Sequence, residues 1–213
     1  MTSERSGKAD APIRAALLAL LADRAYSQLD LDDLLAAAGV TEVEFSRHYE
    51  SLDACFSDLC QGFMREAAEE TFAAYAAEDC WRDGMRAQIW ASHRFLLTDP
   101  LRARITVIDI NSGGDRVLAI RDLFMGAFTE LVHLGRHEAP AGASVPRERA
   151  EAFAGACWEL IAAPIRAGSF DLLVEVVPKI LYMLYLPYLG EAEARIEHSR
   201  ARAEVERNSG QMP

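Results

Sequence analysis

From Ile13 onward, the apolar residues of this chain recur at helical spacing and nowhere sustain the alternation of a half-buried strand. This removes sheet-based architectures and leaves helices packed on helices. Breaks in the pattern fall at Asp99-Pro100, Gly113-Gly114, Gly168 and the run from Ala139 to Val145, which holds Pro140 and Gly142. Between them the spacing predicts helices over 13–26, 31–38, 41–49, 51–77, 81–98, 100–111, 115–137, 146–167 and 170–189. Residues 1–10 read as a disordered polar tail, and 191–207, with alternating charges, as a frayed helical extension or, more simply, a solvated polar face. No repeat of 20–50 residues is present.

Hydrophobic residues make up 51% of the 213 positions, which supports a full core, and only 8% are aromatic, which suits helices better than strands. The net charge of −11 argues against a general nucleic-acid binder, because phosphate contacts need Lys and Arg; a local basic face is still compatible with it. The longest strongly apolar stretch, 180–189, is too short to span a bilayer, and the opening residues have no apolar signal region. Cys55, Cys60, Cys80 and Cys157 form no CxxC pair, so reduced thiols and a cytoplasmic location are expected. No GxSxG, P-loop or dinucleotide fingerprint occurs, so no enzyme and no cofactor is expected. Glu130, His133 and His137 share one predicted helix face and so suggest a metal-using bundle enzyme, but a solvated face is the simpler reading.

The chemistry-bearing part lies near the N-terminus. Asp30 caps a short helix with Leu31, Leu34 and Leu35 inward, and Gly39 stops it in a left-handed turn. Thr41 and Glu44 form a capping box for the next helix. Helix, Ala38-Gly39-Val40 turn and helix fit either the steep crossing that lets a second helix enter the major groove or the corner that many helical bundles contain. The stretch LDLDDLLAAAGVTEVEFSRHYESLDACFSDL resembles the N-terminal domain of the TetR family of regulators. The likeness rests on Leu31, Leu34, Ala38-Gly39-Val40, Thr41, the run of Phe45, His48 and Tyr49, then Ser51 and Asp53. A later segment, LYMLYLPYLGEAEA, is similar to the family's final helix.

The resemblance implies an all-α protein with a three-helix helix-turn-helix domain over 11–55 and a larger ligand-binding and dimerisation domain over 56–195, followed by a charged tail over 196–213. It implies a homodimer on a double-stranded DNA operator, acting as a ligand-responsive regulator, usually a repressor released by a small molecule. Thr41, Glu42, Glu44, Ser46, Arg47 and His48 are the DNA-binding candidates. Glu42 or Glu44 could accept from cytosine N4, although Glu44 equally fits the capping role. Arg5 and Lys8 are further candidates for phosphate contact.

Three positions depart from the family. Asp30 replaces a phosphate-binding Thr, Ser46 a Tyr, and Leu52 a Lys. Over 11–55, Arg14, Arg24 and Arg47 face eight carboxylates, an excess of five negative charges. Hence a second reading: a TetR-like helical ligand-binding or interaction protein that has lost tight DNA binding.

Pocket candidates in the larger domain are Trp81, Met85, Trp90, Phe95, Met125, Phe128 and Trp158, with core packing as the alternative for each; an apolar or aromatic ligand is expected. The helix over 170–189, apolar on most faces, and its predecessor with Ala152, Phe153, Ala156, Cys157, Leu160 and Ile161 suit an isologous dimer seam or an internal hairpin. Pro178 and Pro187 should kink or end the later helix.

Overall fold

The computed structural model describes residues 10–140 and 145–209, and among them every regular element is helical. In order these are α1 (Ala11–Asp23), α2 (Leu31–Ala38), α3 (Glu42–Phe45), α4 (Leu52–Ala76), α5 (Trp81–Thr98), α6 (Pro100–Val107), α7 (Asp115–His133), α8 (Arg147–Arg166), α9 (Leu173–Leu189) and α10 (Glu191–Ser209). Helices α1–α3 form a head, and the remaining helices form the body.

Several helices end earlier than the spacing predicts. α1 stops at Asp23 because Arg24 and Ala25 turn extended and Tyr26 opens a short 3-10 turn, its ring stacked on Phe56 at 3.7 Å between centroids. α6 stops at Val107 and is followed by a 3-10 turn, Asp109–Ser112, whose Asp109 carboxylate is drawn back to Arg104 and to the Tyr26 N–H. α7 tightens into a 3-10 turn at Leu134–His137, where Gly135 lies against the Trp81 ring too closely for any side chain. Pro178 and Pro187 both lie within α9 without ending it.

The core of the head draws Ile13, Leu17 and Leu21 from α1, Leu34 from α2, Phe45 from α3 and Phe56, Leu59 and Cys60 from α4. Ile105, Ile110 and Val117 of the body complete it. Arg104 of α6 ties the two parts: it donates to the carbonyls of Leu21 and Arg24 at the end of α1, and its Nε lies 3.1 Å from Asp109. Burial raises the Asp109 carboxyl above its ordinary pKa, with Arg104 and the Tyr26 N–H acting against that rise.

The body is organised around α9. Val177, Ile180, Leu181, Leu184, Tyr185 and Tyr188 pack with Trp81, Met85 and Ile89 of α5. Much of the remaining apolar surface of α9 is covered by α10; the charged segment is helical as far as Ser209, and the expected solvated face gives way to a packed one. Ala194, Glu197, Ala201 and Val205 fall on one stripe of α10 and are buried. Arg86 of α5 grips Glu197 with two bonds of 2.8 Å and also holds Asp83. The bilayer expectation also changes: residues 170–189 form one continuous stretch long and apolar enough to cross a membrane, although half of it is buried inside the protein. Leu172, Met183 and Leu186 stay exposed.

Candidate functional site

The turn between α2 and α3 is built by hydrogen bonds that the sequence dictates. Gly39 takes φ 66°, ψ 33°, which a residue without Cβ adopts freely. Its N–H donates to Ala36, and that of Val40 to Leu35, the paired arrangement that closes a helix end. Upstream, the Asp30 carboxylate accepts from the Asp33 N–H at 2.8 Å. The Arg24 guanidinium at 3.0 Å, followed by the Asp30 N–H, holds the Asp33 carboxyl below its usual pKa.

Downstream, Glu44 accepts from both the N–H and the hydroxyl of Thr41, each at 2.8 Å, while the Thr41 oxygen accepts from the Glu44 N–H. The Thr41 N–H is the main cause of a lowered pKa at Glu44, which therefore serves the cap as a carboxylate. α3 runs only one turn. Beyond Phe45 the chain closes by tighter bonds, Arg47 N–H to Glu44 and His48 N–H to Phe45, and the Ser46 hydroxyl donates to the Val43 carbonyl. The expected helix to Tyr49 is thus one α-turn followed by tight turns.

Thr41, Glu42, Glu44, Ser46, Arg47 and His48 are all exposed, whereas Phe45 and Tyr49 are buried beneath them. Val43, 66% exposed on the same turn, escaped sequence reading because an apolar residue in a helical pattern is ordinarily assigned inward. An exposed methyl pair there is suited to a thymine methyl. Arg14 pairs with Asp58 at 3.2 Å and Arg24 with Asp33. Arg47 has no ion pair among the described residues. Arg5 and Lys8 lie outside the described residues.

The body holds a partly open cavity of about 100 Å³. Its wall takes Met64, Ala67 and Thr71 from α4, Gln88, Ile89, Ser92, His93, Phe95 and Leu96 from α5, Thr106 and Val107 from α6, Phe124, Met125 and Phe128 from α7, Ala154, Cys157, Trp158 and Ile161 from α8 and Ile180 from α9. Of the sequence candidates, Phe95, Met125, Phe128 and Trp158 line it. Trp81, Met85 and Trp90 do not, and belong to the core around α9. Trp81 is fixed there by its indole N–H donating to Leu131 at 2.8 Å and by ring contacts with Tyr185 and Tyr188.

No lining residue carries a formal charge at neutral pH. Thr106 and Ser92 donate to helix carbonyls, but Thr71 Oγ1, Gln88 Oε1 and His93 Nε2 are buried without a partner among the described residues. An open cleft of about 540 Å³ between α7 and α8 shares Met125 and Trp158 with the cavity. Glu130 is engaged by Arg147 at 2.6 Å, and His137 falls in the 3-10 turn, so Glu130, His133 and His137 do not gather into a metal cluster.

No protein-family model matches the chain, and no curated protein matches its sequence. Solved structures do match its fold. A TetR-family regulatory protein from Rhodococcus RHA1 is 19% identical, with a TM-score of 0.64 over 83% of this chain and 97% of that one. The fatty acid degradation regulator FadR from Bacillus halodurans is 13% identical, with a TM-score of 0.68 over 86% and 96%. A TetR family transcription regulator from Marinobacter aquaeolei VT8 is 16% identical, with a TM-score of 0.62 over 87% and 98%. The chain therefore has the fold of the TetR-family transcription regulators: an N-terminal helix-turn-helix head on a larger helical body.

Proposed function

We propose that this chain is a cytoplasmic, homodimeric, DNA-binding transcription regulator of the TetR type whose operator binding responds to a small apolar molecule. One observation carries the reading: a single helix, α4, serves both sites. Its Phe56, Leu59 and Cys60 complete the core of the head, and its Met64, Ala67 and Thr71 form cavity wall. A ligand that favours one packing of α4 in the body therefore favours one attitude of the head, and DNA favours its own; the coupling is reciprocal. On this reading the turn from Thr41 to His48 meets the major groove, with Arg47 and His48 on phosphates and Val43 against a base methyl. The second copy packs on α8 and α9, where Leu172, Met183 and Leu186 are left exposed. Release of DNA by the ligand, and hence repression, is the expected direction.

A competing reading has its own support. Arg14 and Arg24 are both neutralised by acids, leaving Arg47 as the cation of the reading turn. A DNA-silent ligand-binding protein would look the same. Binding to fragments of its own upstream region across a range of salt separates the two. Selective binding that weakens with salt and is lost in Arg47→Ala supports the regulator. Absence of selective binding by folded dimer at low salt favours the DNA-silent form.

A further inference from the structure

The wall of the cavity is more specific than its apolar lining suggests. His93 is 1% exposed, and its Nδ1 lies 2.8 Å from the Ile89 carbonyl. A carbonyl can only accept, so Nδ1 carries the hydrogen and Nε2 is left as a bare acceptor. Gln88, also 1% exposed, adds a second bare acceptor in Oε1. The Ser92 and Thr106 hydroxyls are already committed to helix carbonyls. A buried acceptor with no partner is costly, so what fills this cavity must bring a hydrogen-bond donor.

Resting on the ligand-responsive reading of this same cavity, we propose that it is a site for a small neutral molecule with an apolar body and a hydroxyl or N–H group that donates to His93 Nε2. Acids are excluded by charge: the wall offers no Lys or Arg, and a carboxylate there would be desolvated without a counter-ion. Burial pushes the His93 pKa down to about 4, so the imidazole supplies no positive charge at neutral pH. Size favours a small body: an enclosed apolar cavity of about 150 Å³ admits benzene, and this partly open pocket, of about 100 Å³, suits a group of about one ring.

Four probes of similar size separate the terms: phenol, which donates; anisole, which only accepts; toluene, which does neither; and benzoate, which is charged. Binding to the full-length protein is measured by calorimetry. Phenol is expected to bind about ten- to a hundred-fold more tightly than toluene, with anisole, which can accept only from the Thr71 hydroxyl, between them and benzoate the weakest. In His93→Leu the phenol preference should fall, and in His93→Leu combined with Gln88→Leu, which also removes the second bare acceptor, it should collapse to near unity. The imidazole nitrogen resonances of the unaltered protein give a reading that needs no variant. Nε2 should appear unprotonated and shift with phenol but not with toluene. Equal affinities, no binding of phenol, or tightest binding of benzoate would each overturn the proposal. DNA binding is measured separately without any probe, so loss of the regulator reading would leave this ranking to stand or fall alone.

Discussion

Replacing Glu197 by alanine should test whether α10 is an integral part of the fold. The Glu197 side chain is 4% exposed and that of Arg86 is 16% exposed, and the two meet through a paired contact of 2.8 Å on each arm. Removing one partner of such a pair leaves a buried charge and costs about 3–5 kcal/mol. Asp83 remains on the third guanidinium nitrogen at 2.5 Å, so the lower end, about 3 kcal/mol, is expected here. The other buried side chains of α10 are Ala194, Ala201 and Val205, which offer modest apolar area to hold the helix once the ion pair is gone. Urea unfolding gives the stability change, and amide hydrogen exchange over 191–207 shows whether the helix detaches. Glu206→Ala serves as the control, because its contact with Arg202 is 3.6 Å long and largely exposed; it should cost at most about 0.5 kcal/mol. Arg86→Met combined with Glu197→Leu should recover most of the loss. If Glu197→Ala behaved like the control and α10 kept its protection, the anchoring argument would be wrong.

Other consequences are equally open to measurement. His93 is neutral in the fold, and its pKa is depressed from an ordinary value near 6.5 to about 4. Between these values the unfolded chain takes up a proton that the folded chain refuses, so stability falls with pH from about 6.5 to about 4, by about 3 kcal/mol in total. The difference in urea midpoint between the native protein and His93→Gln should therefore change over that window; a constant difference would count against it. Gly39→Ala should cost about 1–2 kcal/mol through its left-handed backbone, and a neutral effect would mean the turn readily rearranges. On the proposed regulator reading, with Arg47 the cation of the turn from Thr41 to His48, the slope of log K against log salt for a dimer on DNA should be about −2 to −4. A slope steeper than about −6 would show that other cations reach phosphate. Burial pushes the Cys55 and Cys60 thiols up to about 12 and raises Cys157 as well, while Cys80 is exposed. A thiol reagent should find one fast group in the folded chain and four after unfolding.

The helix-turn-helix was legible because its signals are local. Asp30, Gly39 and the Thr41–Glu44 box each act within a few residues, and the structure realises each of them. α5 was bounded at Trp81 and Thr98 for the same reason, with Pro100 fixing the break. The packing of α10 was not legible. Its buried stripe is two alanines, a valine and a glutamate in a charged segment, and the glutamate makes sense only beside Arg86, 111 residues away. The cavity fell between these extremes. Helical spacing identifies which residues share a face of α5 but not which neighbour that face meets, so Trp81 and Met85 could not be told from Phe95. Thr71 and Gln88 carried no aromatic signal and became visible only as unpartnered groups.

Because Ile105, Ile110 and Val117 share one core with Phe45 and Phe56, the head should not fold independently of the body. A fragment ending near residue 55 would lack Phe56, Leu59 and Cys60 as well as those three, and could not bury enough surface to hold together. Head and body should melt in one calorimetric transition, and a protease should find no seam at which to release the head intact. Any tilt of the turn from Thr41 to His48 is then limited to what this shared core tolerates without opening, which favours small, stepwise repacking over free swinging of the head.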